Sequence, residues 1–334
     1  MTQITTKNDF DNTTFMKGWY VITDIASIRK KKPYAIRRFG LDLVIWRNDK
    51  NQFNIMLDRC PHRSAQLSGG KINSQGHLTC PFHGFAFNST GQCQYAPELK
   101  QELPGLSVKT FFCQNYGGML WMYYGPGQPP ELQVEDLKTV DKQFKGQFSL
   151  TRRIWNSHIT RCIENQLDYT HLPIVHHNSI GKNAHIPENP ILKTSETTIA
   201  LFSSQQHADT KGSTPKFRYE APNRWYLNLP SKKLQLMAYF VPIDQTHTEI
   251  LLVSYRTFGH WWGIAPLFNK IFNTMNRFIL QQDQRVVKTQ GTTPSYTANH
   301  ECLLRHDHAI KAFRTLWQQQ LLSKKDHDTM LENE

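Results

Sequence analysis

Short apolar runs alternate with turn-rich pieces through the first third of the chain. Gly18-Trp-Tyr-Val-Ile22, Leu41-Asp-Leu-Val-Ile-Trp46, Phe53-Asn-Ile-Met-Leu57, Phe85-Ala-Phe87 and Gly118-Met-Leu-Trp-Met-Tyr-Tyr124 are separated by pieces such as Arg47-Asn-Asp-Lys-Asn51, Asn88-Ser-Thr-Gly91 and Tyr116-Gly-Gly118. Apolar runs bounded by Asn, Asp and Gly predict antiparallel strands joined by tight hairpins. Gly125-Pro-Gly-Gln-Pro-Pro130 can extend neither a strand nor a helix and reads as a linker. Beyond it the pattern is mixed. Ile154 to about His171 has helical character, while Leu234–Phe240 and Ile250–Tyr255 read as strands. From Leu267 to about Gln290, Phe268, Ile271, Phe272, Met275, Phe278 and Ile279 recur at helical spacing and predict one long amphipathic helix. The chain from Leu303 onward reads as helix fraying into a polar end. The expected class is α+β, with an all-β domain over 15–128 and a sheet-plus-helix domain over 129–320. Short tails over 1–14 and 321–334 complete the division.

Composition narrows the class. A chain of 334 residues with 39 % hydrophobic and 12 % aromatic positions can bury two cores, so it is globular. No run approaches the roughly 18–20 apolar residues that span a bilayer, and Met1–Phe10 has no apolar core typical of a signal peptide. The expectation is a cytoplasmic protein in which the six cysteines stay reduced. A net charge of +12 would suit nucleic acid, an anionic membrane or an acidic protein. The basic residues are scattered, however, and the tightest cluster, Arg29-Lys-Lys-Lys32, sits before Pro33 in a loop with no nucleic-acid motif around it. No nucleic-acid partner is expected.

The chemistry begins at Cys60-Pro-His62, followed after seventeen residues by Cys80-Pro-Phe-His83-Gly84. Each short loop offers one thiolate and one imidazole. A Rieske [2Fe–2S] cluster takes two cysteines on one iron and two histidines on the other. Tetrahedral zinc also accepts two of each, but zinc sites group Cys with Cys on a hairpin and His with His on a helix. Here each loop mixes the two types. The segment resembles the Rieske family motif C-x-H-x17-C-x2-H, with flanks similar to its oxygenase branch. Where respiratory Rieske proteins carry an extra disulfide, this chain has residues such as Ala65 and Phe82, which cannot crosslink. Cys93, Cys113, Cys162 and Cys302 match no ligand position and read as ordinary thiols.

A second constellation is Glu164-Asn165-Gln-Leu-Asp168-Tyr-Thr-His171-Leu-Pro-Ile-Val-His176-His177. Asp168 and His171, three apart, would share a helix face. His171 and His176 would stand about 140° apart on a regular helix, but Pro173 between them breaks it and lets His176 swing back. Two histidines and a remote carboxylate form the facial triad of non-haem Fe(II) oxygenases. The run resembles the E-N-x-x-D-x-x-H-x4-H motif of Rieske-type oxygenases, which assigns His171 and His176 as ligands of a mononuclear Fe(II) and leaves His177 outside. By the same resemblance the carboxylate is Asp283, which follows the long helix; Asp307, between His306 and His308, competes for the role.

The resemblance implies a Rieske β domain followed by a helix-grip (START-like) domain, assembled as a head-to-tail homotrimer. Asp168 would then link His83 of one chain to His171 of the next, with Asn165 near the iron. Electrons from NAD(P)H would arrive through a separate ferredoxin or reductase, since no Gly-rich dinucleotide fingerprint is present. The implied activity uses O₂ to hydroxylate or oxidatively demethylate a mostly apolar, ring-containing small molecule. Cis-dihydroxylation of an aromatic ring is the alternative, and a Rieske electron carrier fused to a binding domain is a rival outside the enzymes. Trp155, Trp225, Tyr226, Tyr239, Phe240, Phe258, Trp261 and Trp262 are the aromatic candidates for the pocket wall.

Overall fold

The computed structural model describes residues 14–331, apart from 49, 146, 183–185, 211–212, 230–232 and 260–262, with side chains described to residue 321. The tail expected over 1–14 and the candidates Trp261 and Trp262 therefore lie almost entirely or wholly outside the described residues.

The chain forms two compact units, Gly18–Gln133 and a second from Val134 onward that also takes in residues 14–17. Phe15 and Met16 are almost fully buried, and the Phe15 ring stacks on His158 at 6.0 Å. A buried aromatic thus anchors this piece to the second unit.

The first unit is built from strands. They are β1 (Gly18–Asp24), β2 (Tyr34–Arg38), β3 (Leu41–Arg47), β4 (Phe53–Leu57), β5 (Lys71–Ile72), β6 (Leu78–Thr79), β7 (Ala86–Phe87), β8 (Gln92–Ala96), β9 (Gln101–Ser107), β10 (Thr110–Phe111), β11 (Cys113–Tyr116) and β12 (Met119–Tyr124). They form three antiparallel sheets, ordered β1-β12-β11, β10-β4-β3-β2 and β5-β6-β7-β8-β9. All six residues of the central strand β12, Met-Leu-Trp-Met-Tyr-Tyr, are buried, which explains why it reads as a continuous apolar run instead of an alternating one. The β3–β4 hairpin turns at Asn51, which adopts φ 61°, the left-handed conformation that Asn tolerates best after Gly.

The second unit runs α1 (Glu135–Phe144), β13 (Phe148–Trp155), α2 (Ile159–Leu167), α3 (Leu172–Val175), β14 (Ile191–Thr194), β15 (Thr198–Phe202), α4 (Gln205–Asp209), β16 (Phe217–Glu220), β17 (Arg224–Asn228), β18 (Leu234–Pro242), β19 (Thr248–Arg256), α5 (Ala265–Val287) and α6 (His308–Leu331). One antiparallel sheet ordered β13-β19-β18-β17-β16-β15-β14 carries α5 against β13. This is the expected α+β class, a β domain followed by an antiparallel sheet with a long helix. Asn276 of α5 donates to Ser254 Oγ on β19 (2.9 Å), and Gln284 of α5 accepts from Arg153 of β13 (3.0 Å), so polar bonds fix where the helix sits.

Three local expectations are corrected. Residues 154–158 are not helical: Ile154 and Trp155 close β13, opposite Glu249 and Thr248 of β19. The helix starts only after His158, whose ring nitrogen accepts from Thr160 N and so caps it. It ends at Asp168 instead of continuing to His171, because Asp168 Oδ1 accepts from both Thr170 N and Thr170 Oγ1 at 2.7 Å. That local turn competes with the helical backbone bonds. Finally, the backbone is helical to Leu331, past the tail expected from 321.

Candidate metal centres and cavity

The first unit holds two matching loops. In one, Cys60 N donates to Ala65 O (2.8 Å) and Ser64 N to Cys60 O (2.9 Å); in the other, Cys80 N donates to Phe85 O (2.8 Å) and Gly84 N to Cys80 O (3.1 Å). Ser64 and Gly84 occupy the same place in the two turns and both have positive φ, 58° and 75°. Repeating this turn puts each cysteine at the buried base and each histidine toward the tip. Cys60 and Cys80 are 1 % and 3 % exposed, whereas His62 and His83 face outward with ring centroids 4.7 Å apart. Buried Asp58 anchors the base of the first loop, accepting from Ser68 N at 2.6 Å and Ser68 Oγ at 2.5 Å. At the tips the Arg63 guanidinium lies over the Phe82 ring, 5.3 Å from its centroid.

Burial, reinforced by the adjacent Cys80, pushes the Cys60 thiol up to about 11, although the amides of His62 and Arg63 donate to its sulfur and pull the other way. Two buried sulfurs side by side, with backbone donors directed at one of them, form a donor set that a cationic group would stabilise as thiolates. Two thiols and two imidazoles on twin loops fit a [2Fe–2S] cluster.

In the second unit, His171, His176 and Asp283 converge: one ligand atom from each lies within 4.8 Å of the others. His176 Nε2 is 2.9 Å and His171 Nε2 3.4 Å from Asp283 Oδ1. Neither approach has hydrogen-bond geometry. The three atoms crowd together with Asp283 Oδ1 buried and left without a hydrogen-bond partner. Donor spacings near 3 Å are what neighbouring ligands about 2.1 Å from one ion show, so the residues fit a mononuclear metal.

The local sequence explains the convergence. With α2 ended at Asp168, His171 caps the start of the four-residue helix α3, Pro173 sits in its first turn, and His176 caps its end. The rings of His171 and His176 are thereby brought to 5.4 Å. Asp283 does not follow the long helix, as expected from the sequence, but lies inside its last two turns on the buried face.

Supporting groups set the imidazole tautomers. His176 Nδ1 is 2.9 Å from Gln282 Oε1, which also accepts from Ser179 Oγ at 3.0 Å. An amide oxygen can only accept, so His176 carries its proton on Nδ1 and leaves the Nε2 lone pair free. Sequence reasoning missed Gln282; the available signal was its place beside Asp283 on a helix. Asp168 Oδ2 stands 3.6 Å from His171 Nδ1, too far for a good hydrogen bond but close enough to act on its charge. Burial opposes charge at His171, yet Asp168 and Asp283 together hold its pKa up at about 9. Burial likewise opposes ionisation of Asp283, but the two imidazoles hold its carboxyl down at about 2.

The other named residues lie elsewhere. Asn165 does not line the cavity, and its Nδ2 is buried without a partner. His177 is exposed and hydrogen-bonds Ile174 O at 2.9 Å. Asp307 accepts from Leu304 N at 2.7 Å as a helix-start cap. Behind α2, Glu164 pairs with Arg314 (2.7 Å), Arg314 with Glu301 (2.6 Å) and Arg161 with Glu301 (2.6 Å), tying α2 to α6.

A cavity of about 860 Å³ borders His171, His176 and Asp283. The two-residue period of the sheet selects its wall. Trp225 and Leu227 of β17, Leu236 and Ala238 of β18, and Ile250 and Leu252 of β19 all face it. Tyr226, on the opposite face of β17, instead hydrogen-bonds Asp136. Of the described aromatic candidates, only Trp225 lines the cavity; Trp155, Tyr239 and Phe240 are core, and Phe258 is 38 % exposed.

Two families match successive parts of the chain. The Rieske [2Fe-2S] domain family matches residues 18–112, and the vanillate O-demethylase oxygenase C-terminal domain family matches residues 216–322. Cholesterol 7-desaturase nvd 2 of Ciona intestinalis is 30 % identical over 253 residues, 73 % of this chain and 54 % of that protein. Protochlorophyllide-dependent translocon component 52 of Arabidopsis thaliana is 30 % identical over 181 residues, 50 % of this chain and 32 % of that protein. The chain thus spans about half or less of each of these relatives. The crystal structure of dicamba monooxygenase bound to dicamba superposes with a TM-score of 0.74, covering 94 % of this chain and 99 % of that one at 18 % identity, a likeness of fold. Among the described residues, no helix is long and apolar enough to cross a membrane.

Proposed function

Because the chain belongs to the Rieske-type non-haem iron oxygenases, we propose that it is a terminal oxygenase that hydroxylates or oxidatively demethylates a mostly apolar, ring-containing small molecule. The observation that carries this reading is the convergence of His171, His176 and Asp283 on the wall of an apolar cavity of about 860 Å³. Two histidines and one carboxylate hold Fe(II) while leaving positions open for other ligands, and the volume falls within the usual range for small-molecule sites. Bound there, Fe(II) would supply O₂ activation, with electrons delivered from a [2Fe–2S] cluster held by Cys60, His62, Cys80 and His83.

The chain's own residues have definite tasks in this reading. Gln282 holds the proton on His176 Nδ1, so that Nε2 is presented to the ion. Asp168 favours the proton on His171 Nδ1, with the same effect on that ring. The carboxylate of Asp283 supplies a fixed negative charge. Trp225, Leu236, Ile250 and Leu252 hold an apolar ring and exclude water, which limits unproductive oxidation.

In this reading the electrons come from a separate ferredoxin or reductase, and the charge of +12 suits an acidic donor. Turnover should then slow as ionic strength rises; turnover indifferent to salt would count against an acidic donor. Asp168, whose side chain is 27 % exposed, would couple His171 to a cluster histidine of a neighbouring copy in a homotrimer. Sedimentation equilibrium should give three times 38.9 kDa. We place the protein in the cytoplasm.

The test is single turnover. The chain is reduced, mixed with O₂ and a panel of ring-containing apolar and methoxylated compounds, and the products are analysed. Oxygenated or demethylated product should form with the unaltered chain and disappear in His171→Ala. Product formation that survives His171→Ala would refute the reading.

A further inference from the structure

Helix α5 has two apolar faces where a surface helix needs only one. At about 100° per residue, Phe272, Asn276, Ile279, Leu280 and Asp283 fall within an arc of about 100°, and all five line the cavity. Leu267, Ile271, Met275 and Phe278 occupy a separate arc of about 80°, and they are 57 %, 45 %, 52 % and 51 % exposed. Lys270 and Arg277 run along one edge of this outer strip and Arg285 continues it, all three exposed. Asp283, the sole carboxylate of α5, is buried on the inner face.

The outer strip meets the cavity at its mouth. Met275 both lines the cavity and belongs to the strip, and Ile180, also a cavity residue, is 50 % exposed. A contiguous apolar strip left in water marks a contact surface. Its chemistry is that of an interfacial amphipathic helix, with large apolar side chains beside basic ones and no exposed acid. We infer that this face of α5 seats the protein on an anionic lipid surface, with the cavity mouth opening onto the bilayer's apolar boundary. The basic edge complements anionic headgroups, and the overall charge of +12 draws the chain toward them. An acidic protein groove would match the charge, but only a lipid phase also accounts for an apolar strip that runs into the mouth of an apolar cavity. Entry of substrate by this route rests on the cavity being the substrate site proposed above; the lipid contact itself does not.

The test is co-sedimentation of the full chain with vesicles of equal phosphatidylglycerol and phosphatidylcholine, against phosphatidylcholine alone. The chain should bind the anionic vesicles, less so as salt is raised. Ile271→Glu/Phe278→Glu should weaken that binding at least about tenfold, and Lys270→Glu/Arg277→Glu should abolish the preference for anionic lipid. Both variants should keep the iron and sulfide content and the melting temperature of the unaltered chain, which shows that they fold. Absence of binding at low salt, or binding undiminished in Ile271→Glu/Phe278→Glu, overturns the inference. If that variant instead changes the mass of the lipid-free protein, the strip is an interface between copies and the lipid contact is wrong. These readouts measure binding and not turnover, so they stand or fall apart from the oxygenase reading.

Discussion

Replacing Gln282 by Leu removes one atom that matters, Oε1, which lies 2.9 Å from His176 Nδ1. Without that acceptor the imidazole can place its proton on either nitrogen and can rotate, so the metal-competent arrangement is no longer held. Loss of such an outer partner lowers metal affinity about 10–100-fold, or about 1.4–2.7 kcal/mol. Leu is close to Gln in size, so packing against α3 should survive. Ser179→Ala removes only a bond to the same oxygen (3.0 Å) and should cost no more than a few-fold. The assay is competitive titration of chelator-treated protein with Fe(II), or with Co(II) as an air-stable probe, while the Rieske signal of the same sample is recorded. Affinity should fall in the order unaltered, Ser179→Ala, Gln282→Leu, with the Rieske signal constant. An unchanged affinity in Gln282→Leu would refute the assignment of this side chain, and a lost Rieske signal would show a general folding defect instead.

Other perturbations should separate the two centres and the scaffold. Cys80→Ser should abolish the Rieske spectrum while leaving metal binding at His171, His176 and Asp283, as measured by the same titration; loss of both would contradict their independence. In chelator-treated protein the raised pKa of His171, about 9, contributes stability that is complete below its unfolded value near 6.5 and lost as pH rises through 9. The lowered pKa of Asp283, about 2, contributes stability present above 3.8 and lost as pH falls through 2. Denaturant midpoints across pH 6–10 should therefore decline for the unaltered chain and stay flatter for His171→Ala. Arg161→Met removes the 2.6 Å bond to Glu301, which Arg314 still holds, and should destabilise the second unit by about 1–3 kcal/mol, read as a melting temperature lower by roughly 5 °C.

Legibility in the sequence followed the reach of each interaction. The four cluster residues lie within one stretch, Cys60 to His83, and the repeated turns that orient them use only their own backbone. His171 and His176 were legible for the same reason. The end of α2 at Asp168 was not, because its cause is a side-chain competition at Thr170 that apolar periodicity does not register. Nor was β13 through Trp155, which pairs with a strand about a hundred residues away. Gln282 could not be singled out, since its meaning depends on where α3 places His176. Of the aromatic candidates, strand alternation selects Trp225 over its neighbour Tyr226, but only once the burial of each sheet face is known. The apolar positions of α5 were visible as periodicity, but sequence spacing cannot tell which of two apolar arcs meets the sheet.

The central claim is that one chain holds two different iron centres. Protein purified without oxygen, analysed for iron and acid-labile sulfide and examined by EPR after dithionite reduction, tests it most directly. The account predicts about three irons and two sulfides per chain with a Rieske-type signal. About two irons and two sulfides, with no further Fe(II) taken up on addition, would contradict the assignment of His171, His176 and Asp283; a colourless protein without sulfide would contradict that of Cys60, His62, Cys80 and His83.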